Sequence, residues 1–378
     1  MIRNLSDISQ QGNLMQIREV VVHHLRLPLT TPYRVSFRTY TEFEPIVVEI
    51  RSTDGRIGWG EAYVPAGSTK ETTDSAWRFC IEHASRLPGR TAFEARRSID
   101  AMVAESPFAC CAMLTALAVL ECHPALNVRE RTRVPLLVPI AAKTPKEIAA
   151  EVESRLAEGY RTVKVKVGWE VCDDLARVRM VQDALAGRGR ITMDANRGYS
   201  LRQGLEFVSG LDPRDVVLFE QPCEADEWDA NAAIARACPV PLMLDESIRT
   251  EADIERAAKL DNVKFVKLKL KRVGGVERAL SAMTRARDAG LSICLGDGVA
   301  TELMCWVEAC VSRGFLRHAG DMNGFLKPKV RLLANPLPFE QGSIVLEPNY
   351  WPEVDRGVMR AHEVRSERFV PVAVAQGV

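Results

Sequence analysis

From Val134 onward the chain repeats one unit: a short apolar run, an amphipathic stretch of helix length, then the next apolar run. The runs fall at residues 136–140, 162–167, 191–194, 216–220, 241–245, 265–270 and 291–295, with a last β-like segment near 318–323. Helical periodicity occupies 145–158, 173–185, 201–209, 228–236, 251–259 and 276–289, the first of these opening after Thr144 as a cap. Strands joined through helices by short connections run parallel, and about eight of them favour closure into a β/α barrel. An open doubly wound sheet is the alternative, but no G-x-G-x-x-G follows an early strand to support it.

The chain before this rhythm reads differently. Residues 17–29 and 46–50 are rich in β-branched side chains, and Ser52-Thr-Asp-Gly-Arg56 signals a hairpin completed by 57–62. From about Ser68 to His123 the text is rich in alanine and leucine and turns helical. The expected organisation is therefore a polar extension at 1–14, an α+β capping domain at 15–133, a barrel at 134–333, and a segment at 334–378 that returns to the capping domain.

Composition removes several classes. Among 378 residues 47% are hydrophobic and 26% charged, ordinary for a folded globular chain. The formal net charge is zero, so neither nucleic acid nor an anionic membrane surface is an expected partner. No apolar run approaches the length of a membrane helix, and the first fourteen residues lack the apolar core of a secretory signal. The ten cysteines are scattered without a C-x-x-C pair, so reduced thiols and a cytoplasmic location are expected.

In a barrel the reacting groups stand at the carboxyl ends of the strands. Those positions read Lys164-Val-Lys166, Asp194-Ala-Asn196, Glu220-Gln-Pro222, Asp245-Glu-Ser247, Lys267-Leu-Lys269 and Gly296-Asp-Gly298. Asp194, Glu220 and Asp245 lie 26 and 25 residues apart, one βα unit each, so neighbouring strands bring three carboxylates to one point. Three hard oxygen ligands without histidine or cysteine suit Mg2+, with Mn2+ as a substitute. Taken singly, each acid could as well cap a strand or the next helix. Lys164 and Lys166 alternate with valine and share one strand face, though spacing does not say which face is inner. Lys269 lies four strands later, and two lysines flanking a metal could exchange protons with a substrate from opposite sides. Burial, the metal and a neighbouring ammonium would each depress a lysine pKa toward the range of a base. Alternating charge at 267, 269 and 271 also fits a solvated edge.

Together with Gly58-Trp-Gly-Glu61 and the Gly274-Gly275 that follows Lys269, these motifs resemble the enolase superfamily. The match is to its muconate lactonizing enzyme subgroup, which includes dipeptide epimerases, N-succinylamino acid racemases and o-succinylbenzoate synthases. The resemblance runs from Met15 to about Pro348. It implies a capped β/α barrel, Asp194, Glu220 and Asp245 as magnesium ligands, Lys166 and Lys269 as acid/base groups, and Lys164 tuning Lys166. It also implies a small-molecule carboxylate substrate, is compatible with a homo-oligomer, and brings the superfamily's strategy of stabilising an enediolate with lysine and magnesium. Racemisation or epimerisation of an amino-acid derivative or dipeptide is the expected outcome, with cycloisomerisation or β-elimination from the same intermediate as the alternative. A Schiff-base aldolase would not need three acids in register, and an inert metabolite-binding barrel would need neither acids nor lysines.

Departures from the pattern bear on the substrate. Lys267 stands where relatives often carry Asn. Dipeptide epimerases hold the substrate ammonium with an Asp-x-Asp pair, whereas this chain reads Asp321-Met322-Asn323. Candidate substrate-binding residues are Asn196, Asp297, Gly298, Asp321, Asn323 and, from the capping loops, Arg34. Tyr33, Phe37, Arg38 and the 67–69 segment are further loop positions placed to close over the barrel mouth.

Overall fold

The structure is a computed structural model that describes residues 15–35, 38–65, 69–296 and 298–371, with the side chains of 34, 35 and 38 also outside the described set. The polar extension at 1–14 and the candidates Phe37, Gly67, Ser68 and Asp297 therefore lie outside the described residues.

The first module is an antiparallel sheet backed by helices. Strand β1 (Ile17–Leu25) is followed by a separate hairpin, β2 (Leu27–Val35) and β3 (Arg38–Phe43), and then by β4 (Ile46–Ser52) and β5 (Ile57–Ala62). The run expected at 17–29 is thus two strands. β1 pairs with β4 and β4 with β5, Ile50 lying opposite Gly58. The connection turns on Gly55 at φ +90°, a conformation that suits glycine. Helices α1 (Thr73–Ala84) and α2 (Ala92–Asp100) start at Thr72 and Thr91, each in a reciprocal capping box. Helix α3 (Pro107–Leu120) opens on proline and buries every residue from Phe108 to Leu120. It lies directly on β5: a Cβ on Gly58 or Gly60 would stand 2.0 Å from a backbone oxygen of α3, of Ala116 or Ala112. The two glycines of the Gly58-Trp-Gly-Glu61 motif are needed for this approach.

The second module begins with β6 (Thr132–Pro135) and β7 (Val138–Pro139) and then alternates. Its order is α4 (Pro145–Ala157), β8 (Thr162–Lys166), α5 (Val171–Leu185), β9 (Arg190–Asp194), α6 (Leu201–Gly210), β10 (Val216–Glu220) and α7 (Trp228–Ala237). β11 (Leu242–Leu244), α8 (Glu251–Ala258), β12 (Val263–Leu268), the single turn α9 (Leu270–Val273), α10 (Val276–Asp288), β13 (Ser292–Leu295) and α11 (Glu302–Ser312) complete it. Strands β7 to β13 make one seven-stranded parallel sheet in sequence order. The last expected strand is reduced to a bridge, Gly320 pairing parallel with Leu136. Backbone bonds nevertheless join this segment to both edges: Asp321 N–H donates to Leu295 O at 2.9 Å and Leu137 N–H to Gly320 O at 2.9 Å. Apolar side chains on the outer strand faces pack with the helices in one continuous core.

The remaining chain divides between the modules. β14 (Phe339–Glu340) and β15 (Ser343–Leu346) pair with β6, whereas α12 (Arg356–Ala361) leads into β16 (Glu363–Phe369), which pairs antiparallel with β1. The modules are tied at Glu61, a buried acid at the end of β5, which accepts from Thr301 N–H at 2.8 Å and from the Thr301 hydroxyl at the start of α11. Among the described residues no helix is long and apolar enough to cross a membrane, and the ten cysteines are all unbridged.

The C-terminal return is anchored by charge. Arg356 of α12 meets Glu49 of β4 with both terminal nitrogens at 2.5 Å, and Arg51 Nε approaches the same carboxylate at 2.6 Å. Burial works to raise the Glu49 pKa, but Arg356, His23 and Arg51 outweigh it and hold the carboxyl at about 2, against an ordinary 4.5. The stabilisation is therefore full above pH 4.5 and is lost as pH falls toward 2. For this shift it amounts to at most about 3 kcal/mol. Denaturant unfolding of wild type and Glu49→Gln across pH 2 to 6 should show a stability difference that shrinks on acidification; a pH-independent difference would contradict the assignment.

Candidate active site

The inner face of β8 carries the lysines. Val163 and Val165 pack into the helix layer, and Lys164 and Lys166 point the other way. In the sheet Lys166 lies opposite Asp194 and Asp194 opposite Glu220, so the ends of β8, β9 and β10 stand side by side. Asp245 follows the last residue of β11. Its position is set by Gln221, whose side-chain oxygen accepts from Asp245 N–H at 2.9 Å and Ser247 N–H at 3.2 Å. The Gln221 amide nitrogen donates to Cys223 O and Ser247 Oγ, so this amide ties two strand ends together.

The charges form a connected lattice. Lys164 Nζ sits 2.8 Å from Glu220 Oε2, 2.8 Å from Asp321 Oδ2 and 3.2 Å from Asp194 Oδ2. Lys267 Nζ pairs with the same oxygen of Asp321 and lies 3.2 Å from Glu220 Oε1. Lys166 Nζ reaches Asp194 Oδ2 and Asn196 Oδ1, each at 2.6 Å. At the other end of the arc Lys269 Nζ lies 2.8 Å from Asp245 Oδ2, and Arg272 Nη2 lies 2.8 Å from Asp245 Oδ1. The side chains of Lys166 and Lys269 are each 12% exposed, whereas those of Lys164 and Lys267 are 4% and 2% exposed. Two lysines are therefore internal counter-ions and two stand where a substrate could reach them.

Burial alone would depress the Lys164 pKa, but Asp321, Glu220 and Asp194 raise it well above the ordinary lysine value. For Lys166, burial is likewise overcome, chiefly by Asp194, and the pKa rises. In this arrangement, without a metal charge beside it, adjacent carboxylates outweigh the desolvation of Lys166. Glu220 shows the opposite stress, its pKa raised by burial and by Asp194 despite the lysines. Glu246, beside Asp245, is pushed up to about 7 by burial and by that neighbour.

Ammonium groups stand between the acids, and among the described residues no three acids, histidines or cysteines close around a single point. The donor set nevertheless fits a hard divalent cation. Asp194, Glu220 and Asp245 are all buried oxygen donors with no histidine or cysteine among them, and Glu220 Oε1 and Asp245 Oδ1 are held only by the ion pairs with Lys267 and Arg272.

The other sequence candidates have varied surroundings. Asn196 adopts φ +42°, donates its N–H to Asp194 Oδ1 and receives Lys166. Gly298 N–H donates to Asp321 O. Asp321 is buried under its two lysines, and Asn323 donates to Leu137 O and Asp321 Oδ1, each at 3.0 Å. Arg34 lies in β2 with its side chain outside the described residues, as is Asp297. The solvated-edge reading of 267–271 is overturned, because Lys267 and Lys271 are buried and Lys271 Nζ donates to Val299 O at 2.9 Å. Sequence reasoning missed Arg272 and the tethering role of Gln221. Arg272 was masked by the run of basic residues around it, whereas Gln221 stood visible within Glu220-Gln-Pro222.

Asp321→Asn leaves Lys164 and Lys267 without their shared counter-ion, and breaking a buried charge pair costs about 3–5 kcal/mol. Urea unfolding should report a loss of that size; unchanged stability would mean that the lattice does not depend on Asp321.

Comparison with known proteins gives a consistent set of similarities. A family model described as Enolase C-terminal domain-like matches residues 147–349. An L-Lys-D/L-Arg epimerase of Methylococcus capsulatus is 31% identical over 327 residues, covering 81% of this chain and 86% of that protein. The crystal structure of an N-succinyl Arg/Lys racemase from Bacillus cereus superposes with a TM-score of 0.84 at 23% identity, covering 94% of this chain and 100% of that one. That of a dipeptide epimerase from Methylococcus capsulatus, complexed with Mg and the dipeptide L-Arg-D-Lys, gives 0.77 at 25% identity, covering 89% and 98%.

Proposed function

Since this chain belongs to the enolase superfamily, through its Enolase C-terminal domain-like family, we propose that it is a magnesium-dependent racemase or epimerase. Its reaction would remove and return the α-proton of a carboxylate substrate that is an amino-acid derivative. The observation that carries this reading is the placement of Lys166 and Lys269. They flank one arc of three carboxylates from opposite ends, each paired with a different acid and each partly open to solvent.

The α-proton of a carboxylate is very weakly acidic, because its removal creates a second negative charge beside the first. Asp194, Glu220 and Asp245 would hold the magnesium, which when bound supplies positive charge against the developing enediolate. Lys164 remains an ammonium, raised in pKa by the acids around it, and contributes fixed positive charge rather than proton transfer. Lys166 is also held as an ammonium while Asp194 pairs with it, so it is set to donate on its face. It becomes a base only when the Asp194 charge is engaged elsewhere. Lys269 does the corresponding work from the opposite face. Two acid/base groups on two faces of a planar intermediate support racemisation over elimination, which needs only one base at the α-carbon. The named substrates of the Bacillus and Methylococcus relatives support an amino-acid derivative.

In the same reading the seven-stranded sheet and the 320–321 segment form the eight staves of a closed barrel. Residues 15–133, with the chain from α12 onward, act as the cap over its mouth, while β14 and β15 stay with β6 at the amino ends of β7 and β8. The backbone bonds of Asp321 and Leu137 and the pairing of β16 with β1 support this division.

The test is α-deuterium uptake in heavy water with magnesium, across N-acylated amino acids and dipeptides. Lys166→Ala and Lys269→Ala should each lower racemisation by about 10³-fold. Each should keep exchange with one antipode only, and the retained antipode should differ between the two variants. Exchange with both antipodes in either variant would contradict the two-face assignment.

A further inference from the structure

Lys267 stands on β12 between Val266 and Leu268, which pack outward into the helix layer, so its own side chain lies on the inner face of the sheet. There its ammonium meets two acids. Nζ pairs with Asp321 Oδ2 and lies 3.2 Å from Glu220 Oε1. The same Asp321 oxygen also takes Lys164 Nζ, at 2.8 Å. One carboxylate therefore answers two lysines, and the rest of the balance falls on Glu220. That residue carries Lys267 on one oxygen and Lys164 on the other, and it is the middle acid of the arc assigned to the metal.

The arc already has its counter-ions. Lys164, Lys166, Lys267, Lys269 and Arg272 all pair with its acids. The carboxylates they meet are Asp194, Glu220, Asp245 and the adjoining Asp321, one fewer than the cations. Glu246, buried beside Asp245, has Arg197 at 3.7 Å. Among the described residues, then, side chains alone offset the repulsion between the acids, and a divalent ion brings two further positive charges. Lys166 and Lys269 lie at the rim, 12% exposed, and can turn toward solvent or substrate when an ion takes their acids. Lys267, at 2% exposure, has no such exit, and its ammonium stays against Glu220.

We infer that Lys267 is an internal counter-ion that competes with the divalent cation for Glu220. It keeps the carboxylate arc assembled when no ion is bound, and it lowers the affinity for the ion so that binding is readily reversed. The inference rests on the assignment of Asp194, Glu220 and Asp245 to the metal, and adds to that site a residue that sets its occupancy.

The experiment measures Mg2+ affinity by calorimetry on metal-stripped wild type, Lys267→Asn and Lys267→Gln, and follows urea unfolding of each in EDTA and in Mg2+. Both substitutions remove the charge and keep an amide N–H for Asp321. Lys259→Gln, at the exposed C-cap of α8, supplies the baseline for one lost charge. Wild type should stay folded in EDTA, and the Lys267 variants should bind Mg2+ roughly 10- to 100-fold more tightly than wild type. Lys259→Gln should bind as wild type does. A Lys267 variant that unfolds in EDTA and refolds in Mg2+ would equally support the inference, because the ion then replaces the missing charge. Three results would overturn it and leave the metal assignment standing: folded Lys267 variants that bind no more tightly than wild type, Lys267 variants that both stay unfolded at saturating Mg2+, or a wild type that unfolds in EDTA. No binding in wild type or in any variant would overturn the metal assignment and the inference with it.

Discussion

The structure depends on the contact of one buried ammonium, that of Lys164, with carboxylates from three separate parts of the chain. Asp194 comes from β9, Glu220 from β10 and Asp321 from the segment that bonds to both edges of the sheet. Charges taken out of water are costly, and removing one partner is costlier still. Such a centre persists only where every charge is balanced and the strands hold the geometry. Lys267 extends the balance to a second ammonium on Asp321 and Glu220, and Arg272 with Lys269 completes it around Asp245. A parallel sheet buried on both faces provides the rigid frame, and Gln221 ties two strand ends into register.

This lattice separates the lysines by accessibility. Lys164 and Lys267 are shut in among carboxylates that raise their pKa well above the ordinary lysine value, so they set the field. Lys166 and Lys269 stand at the rim, each paired with a different acid. The same sheet edge receives the cap, because Glu61 of the Gly58-Trp-Gly-Glu61 strand accepts from the start of α11 and the β2–β3 hairpin bonds to the chain at Lys327. A change in the hairpin would therefore reach the chain around Lys327 directly, and a change in the lattice would reach the pairing of Lys166 and Lys269.

Much of this was legible in the sequence because it is local or periodic. The helix start after Thr144 follows from capping chemistry, and the acids at strand ends follow from βα spacing. The alternation of lysine and valine on β8 shows that Lys164 and Lys166 share a face. What the sequence could not show is pairing across distance. Asp321 reads as a residue open to substrate, yet two lysines 157 and 54 positions away enclose it. The contact of the β2–β3 hairpin with the chain at Lys327 and Lys329 carries no sequence signal at all, since it joins segments about 300 residues apart. The segment at 318–323 reads as β-like but forms a single bridge, with further backbone bonds to Leu295, Pro135, Leu137 and Gly298.

The central claim is that Asp194, Glu220 and Asp245 act as one receptor for a divalent cation within this lattice. Magnesium titration by calorimetry tests it without any substrate. Wild type should bind one ion per chain, and Asp194→Asn, Glu220→Gln and Asp245→Asn should each abolish or severely weaken that binding while retaining a folded circular dichroism spectrum. Undiminished one-to-one binding in any of the three folded variants would contradict it.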